Sequence, residues 1–262
     1  MSFKYVTIIA FVLNFRCTAQ DGVTQIEIVQ PTIDQEATSI WRTINDISFF
    51  ESQGYRISLP KGSLINELIE KSKNGNFGND DYPVIHSLLE NEVFDQGNYD
   101  QAIQKVNAQI TLMDDLIKEL EATQSAWDWD FKMFTTYKVV FTLYGTGGSY
   151  DPDQGVITLL TNSNGEFMNY ADPTNTIIHE IVHMGLEHSI VRKFDLSHGD
   201  KERIVDAFVY LMFKTKLPEY KIQPMGNRRI DEQLKTKRDL DALPTVASAL
   251  NESDTKWSKS QN

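Results

Sequence analysis

The rhythm of apolar and polar positions changes twice along this chain. VTQIEIVQPTI, residues 23–33, alternates with a period of two and predicts a short strand ending near Pro31. From Ser39 to about Gln124 the character is helical. SLINELIEKSK and YPVIHSLLENEVF read as short amphipathic helices separated by the turn-rich NGNFGNDD. The segment NYDQAIQKVNAQITLMDDLIKELEATQ reads as one long helix. Its Ile103, Val106, Ile110, Met113, Ile117 and Leu120 recur at steps of three and four and make a single apolar stripe. His86, in one of the shorter pieces, reads as structural.

The second change comes at Phe131. FKMFTTYKVVFTLYG and GVITLLTN are rich in β-branched and aromatic residues, and the intervening GTGGSYDPDQG is full of turn formers. Two strands joined by a glycine-rich loop are predicted. Asp172-Pro173-Thr174 then supplies a helix start, and the following helix should run to about Lys193. FDLSHGD is a break, and a second helix, KERIVDAFVYLMF, begins near Asp200. The pattern predicts an α+β fold, mostly helical, with a small sheet packed on the helix after Asp172. Residues 131–217 form its core. Residues 20–130 are expected in the same domain, as a wall of its cleft, because no linker separates them. From Pro218 the chain turns polar, giving a helical and polar tail at 218–262 that frays over 251–262.

Composition narrows the setting. The 262 residues suit one large domain or two small ones. The N-terminus has Lys4, an apolar run from Tyr5 to Phe15, and the small residues Cys17 and Ala19 at the −3 and −1 positions of a cleavage site. Residues 1–19 are therefore read as a signal peptide, and a secreted or periplasmic protein is expected. Cys17 is the only cysteine, so the exported chain would lack both disulfides and thiolates. The formal net charge of −12 argues against nucleic acid or an anionic membrane surface as partner.

Candidate chemistry is concentrated in TIIHEIVHMGLEH, residues 176–188. His179 and His183 are four apart on a helix, so both imidazoles project from one face and can share one Zn²⁺. Glu180, directly after the first histidine, is the general base of such H-E-x-x-H sites. The third ligand is not a metzincin histidine, because Leu186 and Ser189 stand where glycine and histidine are needed. His188 lies some 500° round the helix from His183 and faces away. A glutamate from the following helix remains. Glu202 follows His183 with 18 residues between them, and Asp206 follows it by one turn.

On these residues, roughly 155–210, the chain resembles the gluzincin zinc metallopeptidases, which include the thermolysin-like endopeptidases and the zinc aminopeptidases. The resemblance implies a zincin-like fold with His179, His183 and Glu202 as zinc ligands. It implies Glu180 as base of a zinc-activated water, and Asp206 as acceptor for the far N–H of a ligand histidine, His179. It also implies that the strand before the active-site helix pairs with extended substrate, which places Val156, Ile157 and Thr158 on a free edge. Lys201 stands where the family often has asparagine, and the aminopeptidase amine-binding segment is absent. Tyr150, His198 and Tyr210 are candidate oxyanion donors. The function expected is a secreted zinc peptidase, an endopeptidase, acting on protein or peptide substrates. A non-catalytic exported zinc protein and a zinc hydrolase of non-peptide amides stay open as alternatives.

Overall fold

A computed structural model describes residues 24–168 and 170–250. The expected signal peptide and the frayed end at 251–262 lie outside the described residues. The fold is α+β, mainly helical with one four-stranded mixed sheet. No helix among the described residues is long and apolar enough to cross a membrane.

Strand β1 (Gln25–Ile28) falls inside the alternating N-terminal stretch. It is followed by α1 (Ile33–Asn45), α2 (Ile47–Ser52), α3 (Ser63–Lys73) and α4 (Tyr82–Leu88). Helix α1 starts at a capping box. The Thr32 hydroxyl accepts from Gln35 N at 3.2 Å, and the Gln35 side chain accepts from Thr32 N at 3.0 Å.

The long helix expected over 98–124 is two helices, α5 (Asp100–Asn107) and α6 (Ile110–Gln124). The ladder tightens at the break, where Gln109 N donates to Val106 O at 3.0 Å. A straight helix over 100–124 would be about 37 Å long. Broken, the chain can wrap the much shorter central helix, which both halves contact.

Strands β2 (Thr136–Thr142), β3 (Ser149–Asp151) and β4 (Val156–Leu160) complete the sheet in the order β1-β2-β4-β3. β1 and β2 are parallel, β2 and β4 are parallel, and β3 is antiparallel to β4. This order corrects two expectations. The glycine-rich connector is not only a loop, because it contains β3. Nor are Val156, Ile157 and Thr158 on an edge: β3 pairs with all three, and β4 lies inside the sheet. Ile157, Leu159 and Leu160 of β4 are buried, while Val156 and Thr158 are only partly so.

Since β1 pairs with β2 residue for residue from Gln25↔Thr136 to Ile28↔Val139, the N-terminal helices are inserted between neighbouring strands of one sheet. A buried carboxylate reinforces the joint. Glu36 of α1 is fully buried and accepts from Thr142 Oγ1 at 2.5 Å, from Leu143 N at 2.8 Å and from the Tyr99 hydroxyl.

Helix α7 (Pro173–Leu186) runs through the centre, and all 14 of its residues are buried. Asp172 caps it by accepting from Thr174 N at 2.8 Å, with Pro173 in the first turn. Helix α8 (His198–Phe213) packs beside it and is capped by Ser197, which accepts from Asp200 N at 3.2 Å. The C-terminal region is not a polar tail. It carries α9 (Arg229–Gln233), and Leu240, Leu243, Val246, Ala247 and Leu250 are buried in the main core.

Candidate metal centre

Helix geometry places His179 and His183 one turn apart, and packing of α7 on α8 brings Glu202 to them. His179 Nε2 and His183 Nε2 are 3.0 Å apart. Glu202 Oε2 lies 3.4 Å from the first and 3.3 Å from the second. These three donors form a candidate metal-ion group. Ligand atoms about 2.0–2.1 Å from a tetrahedral Zn²⁺ are separated by about 3.3–3.4 Å, so the triangle has the right size. Two imidazole lone pairs and a carboxylate oxygen facing one point suit a cation.

The electrostatics show the same demand for positive charge. Burial opposes a charge on His179, but Asp206 and Glu202 outweigh it and push that group up to about 10. Burial and the neighbouring His179 push His183 down to about 4. The Glu202 carboxyl is held far below its ordinary range; burial works against this, and hydrogen bonds to the two histidines prevail.

Glu180 is 6% exposed and makes no side-chain hydrogen bond among the described residues. Burial, helped by the charge of Glu202, pushes it up to about 7, against the pull of His179 and Lys201. The loop before β3 passes directly over it. A Cβ built on Gly148 would lie 2.6 Å from Glu180 Oε1 and 2.8 Å from Thr176 Cγ2, so only glycine lets the backbone approach this closely.

A second layer fixes the ligands. Asp206 is fully buried, 3.3 Å from His179 Nδ1 through Oδ1. Tyr220 comes closer: its hydroxyl oxygen is 2.6 Å from His179 Nδ1 and donates to Asp206 Oδ1 at 2.7 Å. The chain from 220 to 231 clasps the polar stripe of α8. Gln223 N donates to Asp206 at 2.7 Å, Asn227 N donates to Asp200 at 2.8 Å, and Arg203 forms a two-pronged pair with Asp231. Tyr220 was not among the expected residues. Its only signal in the sequence is a tyrosine in a polar stretch, which by itself points nowhere.

The three candidate oxyanion donors separate. The Tyr150 ring stacks on His183 at 4.9 Å and 10°, while its hydroxyl donates to Glu187 Oε2 at 2.9 Å. It holds the His183 ring, whose Nδ1 is buried without a hydrogen-bond partner among the described residues. Tyr210 is 39% exposed and lies under Lys214; two turns along α8 from Glu202, it is not brought to the group. His198 is brought near, with Nδ1 3.9 Å from Glu202 Oε1 and Nε2 3.1 Å from the Tyr55 hydroxyl. Tyr55, from the N-terminal region, is a further residue that the sequence reading did not single out. His188 points away, 3.3 Å from Asp153.

A cavity of about 560 Å³ lies at the N-terminal end of α7, lined among others by Lys105, Asp172, Asn175 and Lys216. None of the four residues of the H-E-x-x-H and Glu202 group lines it. No family model matches the chain, and no curated protein or solved structure is detectably similar to it.

Proposed function

We propose that this chain is an exported zinc-dependent peptidase of gluzincin type, acting on protein or peptide substrates. One observation carries the reading. The two Nε2 atoms and Glu202 Oε2 converge at zinc-ligand spacing, and the buried carboxylate of Glu180, without a hydrogen bond among the described residues, stands beside them. A purely structural zinc site takes four protein ligands and has no use for that carboxylate.

His179, His183 and Glu202 would hold the metal. Bound there, Zn²⁺ would supply a Lewis acid and make water a better nucleophile near neutral pH. The remaining work falls to side chains. Glu180 accepts the proton of the attacking water and returns it to the leaving amine. Tyr220 and Asp206 set the tautomer of His179, since Tyr220 donates to Asp206 and can only accept from Nδ1–H. Tyr150 fixes the plane of His183 by stacking. His198, joined to Tyr55, lies next to Glu202 at the start of α8.

Elemental analysis of the purified protein beside its Glu202→Ala variant tests this. About one zinc per chain, largely lost in the variant, is expected. Absence of zinc after incubation with it, or equal retention in both, would remove the reading.

A further inference from the structure

Glu202 turns its two oxygens to different tasks. Oε2 faces the histidines, and Oε1 faces a set of donors that do not quite reach it. Lys201 Nζ is 3.6 Å from Oε1 and His198 Nδ1 is 3.9 Å from it, both too long for a hydrogen bond. Lys201 has three N–H donors, yet its one side-chain hydrogen bond among the described residues is to the Tyr150 hydroxyl at 3.4 Å, with the Tyr150 ring 5.5 Å below. Its side chain is 19% exposed and that of His198 is 48% exposed, so both heads reach solvent on the side of the metal group. When Tyr55 donates to His198 Nε2, Nδ1 carries the hydrogen and presents it beside the Lys201 ammonium.

We propose that Lys201 and His198 form an anion subsite beside the metal group, which takes a carboxylate of the substrate. The inference rests on the peptidase reading and names its substrate class: peptides carrying an acidic side chain or a free C-terminus next to the cleaved bond. The donors are of the right kind, an ammonium and an N–H some 4 Å from one shared oxygen, with bonding capacity left over. Charge favours it as well. With a divalent cation on the group, its two positive charges and that of Lys201 face the two carboxylates Glu202 and Glu180, which leaves one positive charge in excess. In a chain of net charge −12, that makes a local positive spot where an anion is held by charge-assisted hydrogen bonds.

Binding is read by calorimetry on the zinc-loaded Glu180→Gln protein, which keeps substrate uncleaved. Three peptides of equal length serve as probes: one amidated with an internal glutamate, one neutral with a free C-terminus, and one neutral and amidated. At least one acid peptide should bind roughly 10- to 100-fold more tightly than the neutral amide, and the one that gains identifies the source of the carboxylate. Adding Lys201→Met should bring that ratio close to one with zinc content unchanged, and Lys201→Arg should keep it. Zinc present but no preference for acid would overturn the subsite and leave the peptidase reading. A ratio insensitive to Lys201→Met, or loss of zinc in that variant, would make Lys201 a mere support of Glu202 and overturn the subsite. Absence of zinc in the Glu180→Gln protein would overturn both.

Discussion

Tyr220 and His179 are 41 residues apart in the chain, and Oη and Nδ1 are 2.6 Å apart in the fold. The contact makes a segment of low hydrophobicity a support of the metal group. Tyr220→Phe should keep the fold, because the ring stays packed on Tyr170 at 5.7 Å. It should weaken zinc binding about 10-fold or more, the usual cost of losing a partner behind a ligand histidine. Competition with a chromophoric chelator measures this, and an unchanged zinc affinity would take Tyr220 out of the metal's support.

Glu180→Gln separates the metal from the chemistry. Zinc content should equal that of the parent, while hydrolysis of an unstructured protein falls about 100-fold or more. Undiminished turnover would exclude Glu180 as the base.

Gly148→Ala tests the close approach over Glu180. The added methyl meets Glu180 Oε1 and Thr176 Cγ2, and the carboxylate is the part free to move. Displacement by about an ångström should lower kcat roughly 10- to 100-fold, with zinc content and unfolding midpoint near the parent's. Parent-like kcat would show that the carboxylate's position does not depend on this loop.

Glu36 governs the attachment of α1 to the sheet. Truncation to alanine strands the Tyr99 hydroxyl and Leu143 N–H, while the Thr142 hydroxyl can turn to Tyr144 O, and should cost on the order of 3 kcal/mol in urea unfolding. A cost below a tenth of that would mean the helix is held by its apolar contacts alone.

The same carboxyl predicts a pH dependence. Burial raises Glu36 above its ordinary value of 4.5, and the three hydrogen bonds only partly offset this. Folded Glu36 thus holds its proton more tightly than the unfolded chain does. Its contribution is complete below pH 4.5 and is lost as pH rises through the folded value. Glu36→Gln keeps an acceptor for Leu143 N and cannot ionise. Its stability relative to the parent should therefore grow with pH above 4.5, and a constant difference across that range would contradict the burial effect.

The sequence alone determined what repeats within one or two helical turns. The start of α7 follows from the capping chemistry of Asp172-Pro173, and the pairing of His179 with His183 on one face, the place of Glu180 between them and the outward direction of His188 follow from 1.5 Å and 100° per residue. The α+β character also follows from local period and residue type. Glu202 was reachable only through a resemblance, because spacing along the chain does not say how two helices pack. Everything that depends on packing was decided by the tertiary structure. Strand order placed Val156, Ile157 and Thr158 inside the sheet, since pairing is set by which edges meet and not by which strands look apolar. Tyr220, Tyr55 and Lys201 reach the metal group through bonds between side chains far apart in sequence, and such contacts leave no period along the chain. A polar stretch reads the same whether it is solvated or, as at 220–231, spent on the buried carboxylates and guanidinium of α8.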